Sequence, residues 1–230
     1  MLNVLVAGAS RGIGLGLVRV YLERGARVFA VVRNPAGSAG LTDLAAQHGE
    51  RLQVVTCDLN TPTAGSVIVE ALGGTRLDRA IFNAGIYGPS AQDVATASED
   101  EIGQLFFTNA VTPLRLAHTL RTQLAEGAVL GVMSSEMGSL ELSMGAELPL
   151  YAASKSALNS LLVSWVAQLG DARDFTLLTL HPGWVQTDMG GDEAPLTVEQ
   201  SAPGLVATVE AAAGTRDFRF VDYKGETVPW

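Results

Sequence analysis

Two side chains that could move a proton stand four positions apart in this 230-residue sequence, at Tyr151 and Lys155. Near the start of a helix, this spacing places both side chains on one face, one turn apart. An ammonium group beside a phenol stabilises the phenolate and lowers the phenol pKa from its usual value of about 10. Such a tyrosine can give a proton to, or take one from, a carbonyl or alcohol oxygen. The alternative is an exposed pair on a helix surface without chemical function.

Two other polar positions could take part in the same chemistry. Ser134 and Ser135 follow a strand-like apolar run at residues 129–133, where a hydroxyl can donate a hydrogen bond to a substrate oxygen. We assign this function to Ser135 and keep Ser134 as the alternative. Asn109 lies in an apolar stretch, so its amide must be hydrogen-bonded. It either satisfies nearby backbone groups or holds a water molecule behind the lysine.

A glycine-rich segment near the start of the chain is typical of phosphate binding. Glycine adopts positive φ and lets a phosphate approach the backbone, and a helix N-terminus offers unpaired N–H groups. The spacing is GxxxGxG, not the GxGxxG of most dinucleotide folds, and a purely structural turn would also use glycine. Its position between a strand and a helix favours a nucleotide site. The predicted contacts are Gly8, Ser10, Arg11, Gly12, Ile13 and Gly14.

Two arginines indicate which nucleotide is bound. Sites for NAD usually end the second strand with an acid that accepts a hydrogen bond from the ribose 2′-hydroxyl. Here the strand-like run at residues 27–32 ends without an acid and is followed by Arg33, while Arg11 lies inside the glycine turn. Two guanidinium groups suit a 2′-phosphate, which favours NADP(H) over NAD(H). The alternative is that both are solvated surface arginines.

Two further strand ends add candidate cofactor contacts. Asp58, followed by Leu59, comes after the third apolar run and could accept a hydrogen bond from an adenine amino group. An acid at a strand end is equally often a turn cap. Asn83, Ala84 and Gly85 form a small-residue turn after the fourth run, at the edge where open α/β sheets bind ligands.

The elements that must position these residues alternate between short apolar runs and stretches of helical period. Predicted strands span 2–7, 27–32, 52–56, 77–82, 129–133, 176–180 and 218–221. Predicted helices span 12–24, 40–48, 63–72, 99–125, 149–169 and 197–213. Repeated strand–helix alternation predicts an α/β fold, a doubly wound Rossmann-type sheet of about seven mostly parallel strands with helices on both faces. No linker divides the chain, so residues 1–230 are predicted to form a single domain.

Composition excludes several other classes. The net charge of −9 argues against nucleic acid as a partner, although residues 1–40 carry five arginines and one acid. Cys57 is the only cysteine, and the three histidines show no ligand spacing, so neither a disulfide framework nor a metal is predicted. The sequence shows no signal peptide and no apolar run long enough for a membrane span. We therefore expect a cytoplasmic protein without a membrane partner.

Taken in chain order, these motifs resemble the single-domain short-chain dehydrogenase/reductase family. The resemblance rests on the glycine turn, the Asn-Ala-Gly turn, Asn109, Ser135, the Tyr-x-x-x-Lys pair and the segment 181–188, and it covers essentially the whole chain. The His-Pro-Gly-Trp-Val segment after the sixth strand and the Pro-Trp end look most like the C-factor and sniffer-type carbonyl reductase branch.

The resemblance implies a function for each group. Tyr151 is expected to be the acid/base, Lys155 to lower its pKa and hold the nicotinamide ribose, Ser135 to orient the carbonyl, and Asn109 to order a water molecule. Tyr151 and Lys155 would also contact the cofactor. Further nicotinamide and phosphate contacts are expected from Pro182, Gly183, Val185 and Thr187.

The expected activity is NADP-dependent hydride transfer between the nicotinamide and a small carbonyl or alcohol substrate. The alternative is a non-catalytic NADP-binding protein that senses redox state or signals, as a C-factor-like protein would. A homodimer or homotetramer is also expected from the resemblance. Two features depart from the family: Ala7 stands before Gly8 where threonine is usual, and sixteen positions separate Ser135 from Tyr151, a longer gap than usual.

Overall fold

The computed structural model describes residues 1–230, and it is built around one seven-stranded sheet. The strands are β1 (Asn3–Ala7), β2 (Arg27–Val32), β3 (Leu52–Thr56), β4 (Leu77–Phe82), β5 (Leu124–Met133), β6 (Thr176–His181) and β7 (Phe218–Asp222). They lie in the order β3-β2-β1-β4-β5-β6-β7, and all six neighbouring pairs are parallel. The predicted Rossmann-type α/β fold is therefore confirmed.

Helices cover both faces of the sheet. They are α1 (Gly12–Glu23), α2 (Ala39–His48), α3 (Ala64–Leu72), α4 (Glu99–Phe106), α5 (Thr112–Leu120), α6 (Pro149–Leu169) and α7 (Val198–Ala211). One apolar cluster joins the sheet to α1, α2 and α7, and a second joins the opposite face to α3, α5 and α6. Because both faces are covered, the strands are apolar along nearly their whole length, as the continuous runs in the sequence predict.

Because all the strands are parallel, their carboxyl ends lie at one edge of the sheet. From β1, the chain adds β2 and β3 on one side and then β4 to β7 on the other, so the strand order reverses between β1 and β4. Open α/β sheets bind ligands in the crevice at such a switch point. The glycine turn, the Asn-Ala-Gly turn and the serine pair directly follow β1, β4 and β5, so the fold gathers all three at this edge.

One predicted element is wrong. The helix expected over residues 99–125 is interrupted by a π-helical turn at Phe107–Val111, and α5 ends at Leu120. Pro113 has no N–H, so it cannot donate the α-helical hydrogen bond to the carbonyl of Asn109, four residues earlier. The interruption therefore falls at a candidate site residue, where π-helical turns are frequent.

The other boundaries shift by a few residues. Strand β5 begins at Leu124 instead of residue 129, with an irregular register against β4 and with Gly127 at φ +70°. The short turn after α5 and the first two residues of β5, Leu124 and Ala125, lie within the helix predicted over residues 99–125. No helix has both the length and the apolar character that crossing a membrane requires.

Candidate active site

The glycine turn after β1 is closely packed against the neighbouring strand ends. Gly8 has φ +86°, and a Cβ there would lie 2.7 Å from the backbone nitrogen of Ala84. A Cβ on Gly14 would lie 2.0 Å from the carbonyl oxygen of Gly8. Asn83 donates from Nδ2 to that same oxygen at 2.9 Å. The turn and the N-terminus of α1 therefore form a cradle without side chains, which fits the pyrophosphate of a dinucleotide.

The remaining predicted residues of the turn lie at the surface or partly buried. The backbone nitrogens of Gly8 and Ala9 donate to Val31 on β2, at 3.0 and 3.2 Å. The carbonyl of Ser10 accepts from the hydroxyl of Ser38, and Ile13 packs against the first apolar cluster. These bonds fix the turn against the end of β2.

The two arginines lie beside this cradle. Arg33 follows β2 and is exposed, as a residue that meets a ligand phosphate must be. Arg11 precedes α1 and forms an ion pair with Asp188 at 3.1 Å, with both side chains more than two-thirds exposed. Arg11 is thus accessible to a 2′-phosphate but shares its charge with a carboxylate on the loop after β6.

The residues after β3 and β4 differ in what they do locally. Asp58 accepts from the backbone N–H of Asn60 at 3.0 Å, so it forms the turn cap that was the alternative interpretation. Its side chain remains exposed, while Leu59 packs against the second apolar cluster. Gly85 faces two site residues, since a Cβ there would lie 3.3 Å from Oδ1 of Asn109 and 3.4 Å from Nζ of Lys155.

Tyr151 and Lys155 lie in the first two turns of α6. The Nζ of Lys155 is buried, lies 5.7 Å from the centre of the Tyr151 ring, and donates to the carbonyl of Met133 at 3.0 Å. The exposed-pair alternative is excluded for Lys155, because only 3% of its surface is accessible.

The pKa of Tyr151 shifts in the direction opposite to the expectation. Burial and the neighbouring Tyr87 raise this pKa, a hydrogen bond with Ser135 opposes both, and the net pKa is about 12. Burial likewise lowers the pKa of Lys155 to about 8. The expected lowering of the Tyr151 pKa by the lysine is not seen in this structure: burial of the phenol sets the direction of the shift, and the Lys155 ammonium donates to the Met133 carbonyl instead.

The two serines after β5 have different partners. Ser134 donates to Oδ1 of Asn159 on α6 at 2.8 Å, and both residues are buried. Ser135 accepts from the backbone N–H of Met137 at 3.2 Å and acts on the pKa of Tyr151. The structure therefore places the hydroxyl of Ser135, and not that of Ser134, beside the tyrosine.

Asn109 is completely buried in the π-helical turn. Its Oδ1 accepts from the backbone N–H of Ile86, and its Nδ2 donates to the carbonyl of Ile86, both at 2.8 Å. The same Nδ2 also donates to the hydroxyl of Ser154 at 3.0 Å. The side chain thus satisfies local backbone, the first of the two expected alternatives, and it fixes the segment after β4 next to Lys155.

The segment after β6 is held close to the glycine turn. Gly183 has φ +81°, Pro182 accepts from the hydroxyl of Ser201 at 2.7 Å, and Val185 forms a bridge with Leu196. The side chain of Thr187 closes the gap to the turn, because a Cβ on Gly12 would lie 3.2 Å from its methyl group.

Sequence reasoning missed a histidine–carboxylate pair at this edge. His181 accepts from the backbone N–H of Glu136 at 3.2 Å, and its Nε2 lies 3.4 Å from the Glu136 carboxylate. Burial lowers the pKa of His181, while Glu136 and Asp222 oppose that shift. The pair links the residue after Ser135 to the residue before Pro182, and no sequence spacing indicates it because 45 positions separate its members.

Two other missed residues, Tyr87 and Gln92, lie in the segment between β4 and α4. The ring of Tyr87 stacks on that of Tyr151, with centres 5.4 Å apart and planes 24° apart. Buried Gln92 accepts from the backbone N–H of Tyr151 at 2.9 Å. Both occur in a polar loop sequence that gives no periodic signal.

Exposed apolar side chains follow three of the strands at this edge. They are Tyr87 after β4, Leu140, Leu142 and Met144 after β5, and Trp184 and Met189 after β6. The C-terminal tail supports the second group, because the carbonyl of Trp230 accepts from the backbone N–H of Glu141 at 3.2 Å. This edge of the sheet therefore carries exposed apolar surface.

Comparison with known proteins relates this site to a family. Residues 2–196 match the family model described as short chain dehydrogenase. The crystal structure of a carbonyl reductase from Pseudomonas aeruginosa PAO1 in complex with NADP is 57% identical, with TM-score 0.95 over the full length of both chains.

Two more distant proteins match the branch that the sequence suggested. The carbonyl reductase Sniffer of D. melanogaster is 30% identical with TM-score 0.88, over the full length of both chains. The protein named C-signal from Myxococcus xanthus is 36% identical over 158 residues, which cover 67% of this chain and 93% of that protein.

Proposed function

The chain belongs to the short-chain dehydrogenase/reductase family of oxidoreductases, and we propose that it is an NADP(H)-dependent reductase of apolar carbonyl compounds. The observation that carries the proposal is the group formed by buried Lys155, Ser135 and the ring of Tyr151 at the switch-point edge of the sheet. A protein that only senses NADP has no use for a buried proton donor. Function is thus argued from the site and not from the fold.

Each residue has a defined task in this proposal. Bound nicotinamide would supply the hydride that the carbonyl carbon accepts. Tyr151 gives its proton to the carbonyl oxygen, and Ser135 donates a hydrogen bond to the same oxygen. A pKa of about 12 keeps Tyr151 protonated at neutral pH, which is the form that carbonyl reduction requires.

Lys155 and Asn109 act behind the reacting atoms. With its pKa near 8, Lys155 is mostly charged at pH 7, and its ammonium group would hold the nicotinamide ribose and favour the phenolate left after proton transfer. Asn109 fixes the backbone of Ile86 beside it. The family resemblance assigns a proton-relay water to Asn109, and Pro113, which has no N–H to donate to the Asn109 carbonyl oxygen, supports that assignment.

The cofactor preference rests on charge. Arg11 and Arg33 are both exposed beside the cradle, and the segment after β2 offers no acid for a ribose 2′-hydroxyl. The P. aeruginosa relative was solved with NADP, which supports the same cofactor here. The predicted contacts of Gly8 to Gly14, Asn83 to Gly85 and Pro182 to Thr187 would surround its phosphates and nicotinamide.

The substrate is inferred from the surroundings of the site. Tyr87, Trp184 and Met189 expose apolar surface at the edge where Tyr151 lies, which favours an apolar carbonyl compound over a charged one. Relatives include a norsolorinic acid ketoreductase from Dothistroma septosporum, 32% identical over 252 residues.

A signalling protein is the second candidate, and the similarity to C-signal favours it. Oxidation of NADPH and of NADH by a panel of aldehydes, ketones and quinones separates the two functions. Turnover with a preference for NADPH is expected. Tight NADPH binding without turnover of any carbonyl would favour the signalling protein, and a preference for NADH would contradict the assignment of Arg11 and Arg33.

The predicted homodimer or homotetramer is a separate proposal. On α6, Leu158, Leu162 and Trp165 are buried in the core, but Val163 on the same helix is 45% exposed. Light scattering during size-exclusion chromatography would test for an oligomer.

A further inference from the structure

Gln92 connects the loop after β4 to the helix that carries Tyr151. Its side chain is buried, with 4% of the residue surface exposed. Its Nε2 donates to the carbonyl oxygens of Tyr87 and Pro89, at 2.8 and 2.9 Å. Its Oε1 accepts from the backbone N–H of Tyr151 at 2.9 Å. Both N–H donors of the amide and its acceptor are therefore used in fixing other parts of the chain.

The bond to Tyr151 replaces a missing helix cap. Tyr151 is the third residue of α6, so its backbone N–H has no partner within the helix. Leu148, the residue that precedes α6, provides no side-chain cap. Gln92 satisfies this N–H from a position 59 residues earlier, and it thereby fixes the first turn of α6, where the phenol originates.

The other two bonds of Gln92 fix the aromatic neighbour of Tyr151. They hold the backbone of Tyr87 and Pro89, and the Tyr87 ring stacks on the Tyr151 ring. Asn109 holds Ile86, the residue before Tyr87, through both of its backbone groups. Two buried amides thus fix the segment from Ile86 to Gln92 at its two ends.

Backbone strain at Gln92 supports a specific function. Its φ is +49°, in the left-handed region that side-chain-bearing residues rarely adopt. Strained conformations persist only where surrounding structure determines them, and they cluster at functional sites. Here the strain accompanies a side chain that bonds to the backbone of both Tyr151 and Tyr87, with a third bond to Pro89 in the same loop.

We propose that Gln92 is a positioning residue for proton transfer, which fixes Tyr151 through its backbone N–H and fixes Tyr87 as the wall beside it. The proposal rests on the proposed function of Tyr151. A substrate carbonyl at the phenol would contact the exposed face of Tyr87, so the placement of both tyrosines depends on one amide.

Amide hydrogen exchange tests the structural part of this proposal without any substrate. Gln92→Met has nearly the same length and no hydrogen bonds, and it adds no backbone restriction at φ +49°. We expect faster exchange at Tyr151 and in the loop 86–92, with unchanged exchange in the later turns of α6. Gln53→Met is the matched control, because Gln53 bonds to Ala71 and Arg27 on the far side of the sheet. Unchanged exchange at Tyr151 in Gln92→Met would overturn the proposal.

Kinetics tests the catalytic part. A misplacement of about 1 Å costs up to about 100-fold in rate, so Gln92→Met should lower kcat by about 10-fold to 100-fold and leave NADPH binding within about twofold. Tyr87→Leu keeps the backbone bonds of Gln92 and removes only the ring, so it should raise KM for flat aromatic ketones. Equal losses of kcat and NADPH binding in Gln92→Met would indicate general destabilisation and contradict the proposal.

A conservative variant gives a pH signature. In Gln92→Glu the carboxyl group can accept from the Tyr151 N–H at any pH, but it can donate to a loop carbonyl only when protonated. The kcat of this variant relative to the wild type should therefore rise as the pH falls from about 8 to about 5.5, the range over which a buried carboxyl group titrates. A flat ratio would count against the proposal. If Tyr151→Phe kept full turnover, the proposed function would fail, while the exchange experiment would still decide the function of Gln92 as a cap.

Discussion

The two ends of the candidate site are built in different ways. The phosphate-binding end consists of glycine backbone and of exposed charges: a cradle at Gly8 and Gly14, with Arg11 and Arg33 beside it. The reacting end consists of buried side chains, Lys155 and Asn109 among them, whose hydrogen bonds link segments far apart in sequence. A cradle made of backbone depends on a local sequence pattern, whereas a network of buried side chains depends on the complete fold.

The first way to test this difference is to add a side chain to the cradle. A Cβ in Gly14→Ala would lie 2.0 Å from the Gly8 carbonyl oxygen, a backbone atom that cannot move aside easily. Overpacking of this kind should lower the free energy of unfolding by about 3 kcal/mol and abolish NADPH binding. Urea denaturation and NADPH fluorescence measure the two effects. Gly103→Ala, which adds a methyl group in open space on α4, is the control. It should leave NADPH binding unchanged and raise the free energy of unfolding by no more than about 1 kcal/mol, because alanine favours a helix over glycine.

At the reacting end, removal of the buried ammonium should separate stability from activity. The lowering of the Lys155 pKa from 10.5 to about 8 corresponds to a cost of about 3 kcal/mol for keeping the charged ammonium buried in the folded protein. Lys155→Met should therefore be more stable than the wild type at pH 7, by up to about 3 kcal/mol, although it loses turnover. Lys224→Met, at the exposed second lysine, should change neither property.

The pH dependence of this stability difference has a definite sign. Between pH 8 and 10.5 the unfolded wild-type chain binds more protons at Lys155 than the folded chain does, so the wild-type stability rises with pH. The stability advantage of Lys155→Met, measured by urea denaturation, should therefore shrink as the pH rises from about 7 to about 9.5. Above about this pH, tyrosines begin to titrate as well. A difference in stability that does not change with pH would show that burial of the Lys155 ammonium costs no free energy.

A smaller effect is expected from the exposed charges at the phosphate end. A charge-assisted hydrogen bond contributes about 1.5–3 kcal/mol, so Arg33→Ala should weaken NADPH binding by about tenfold or more and leave NADH binding unchanged. Arg121→Ala, another exposed arginine, should affect neither cofactor. Equal weakening of both cofactors would contradict a contact with the 2′-phosphate.

The smallest effect concerns the partner of Arg11. Exposed ion pairs contribute about 1 kcal/mol or less, so Asp188→Asn should tighten NADPH binding by no more than about fivefold. The gain should disappear at high salt, where exposed charges are screened. Isothermal titration at two salt concentrations measures it, and a weaker affinity in Asp188→Asn would show that Asp188 assists binding instead of competing for Arg11.

The sequence predicted most of the first end and only part of the second. The β1–glycine–α1 pattern is local, so its glycines and strand ends were found directly, and apolar runs predicted the seven strands. The helix break at Phe107–Val111 was missed because it follows from one lost hydrogen bond, between Pro113 and the carbonyl of Asn109. The helical spacing of the apolar residues continues through it. The contact of Gln92 with Tyr151 and that of Glu136 with His181 were missed because their members are 59 and 45 positions apart in the sequence. Only the folded sheet brings them together.

The pKa of Tyr151 shows the same limit. The spacing of Tyr151 and Lys155 alone predicts a lowered pKa, since sequence gives the distance along a helix but not the desolvation of the phenol. Burial and the neighbouring Tyr87 reverse the direction. The structure thus assigns a protonated tyrosine at neutral pH, which is the proton donor that the proposed reduction needs.

The most direct test of the account compares NADPH binding and carbonyl turnover in Tyr151→Phe and in the wild type. The phenylalanine ring keeps the stacking with Tyr87 and removes only the proton donor. We expect NADPH affinity to weaken by no more than about tenfold, the contribution of one hydrogen bond to the cofactor. We expect kcat to fall by about 100-fold to 10,000-fold, the usual contribution of a general acid. Turnover at the wild-type rate in Tyr151→Phe would contradict the central claim that this side chain protonates the substrate.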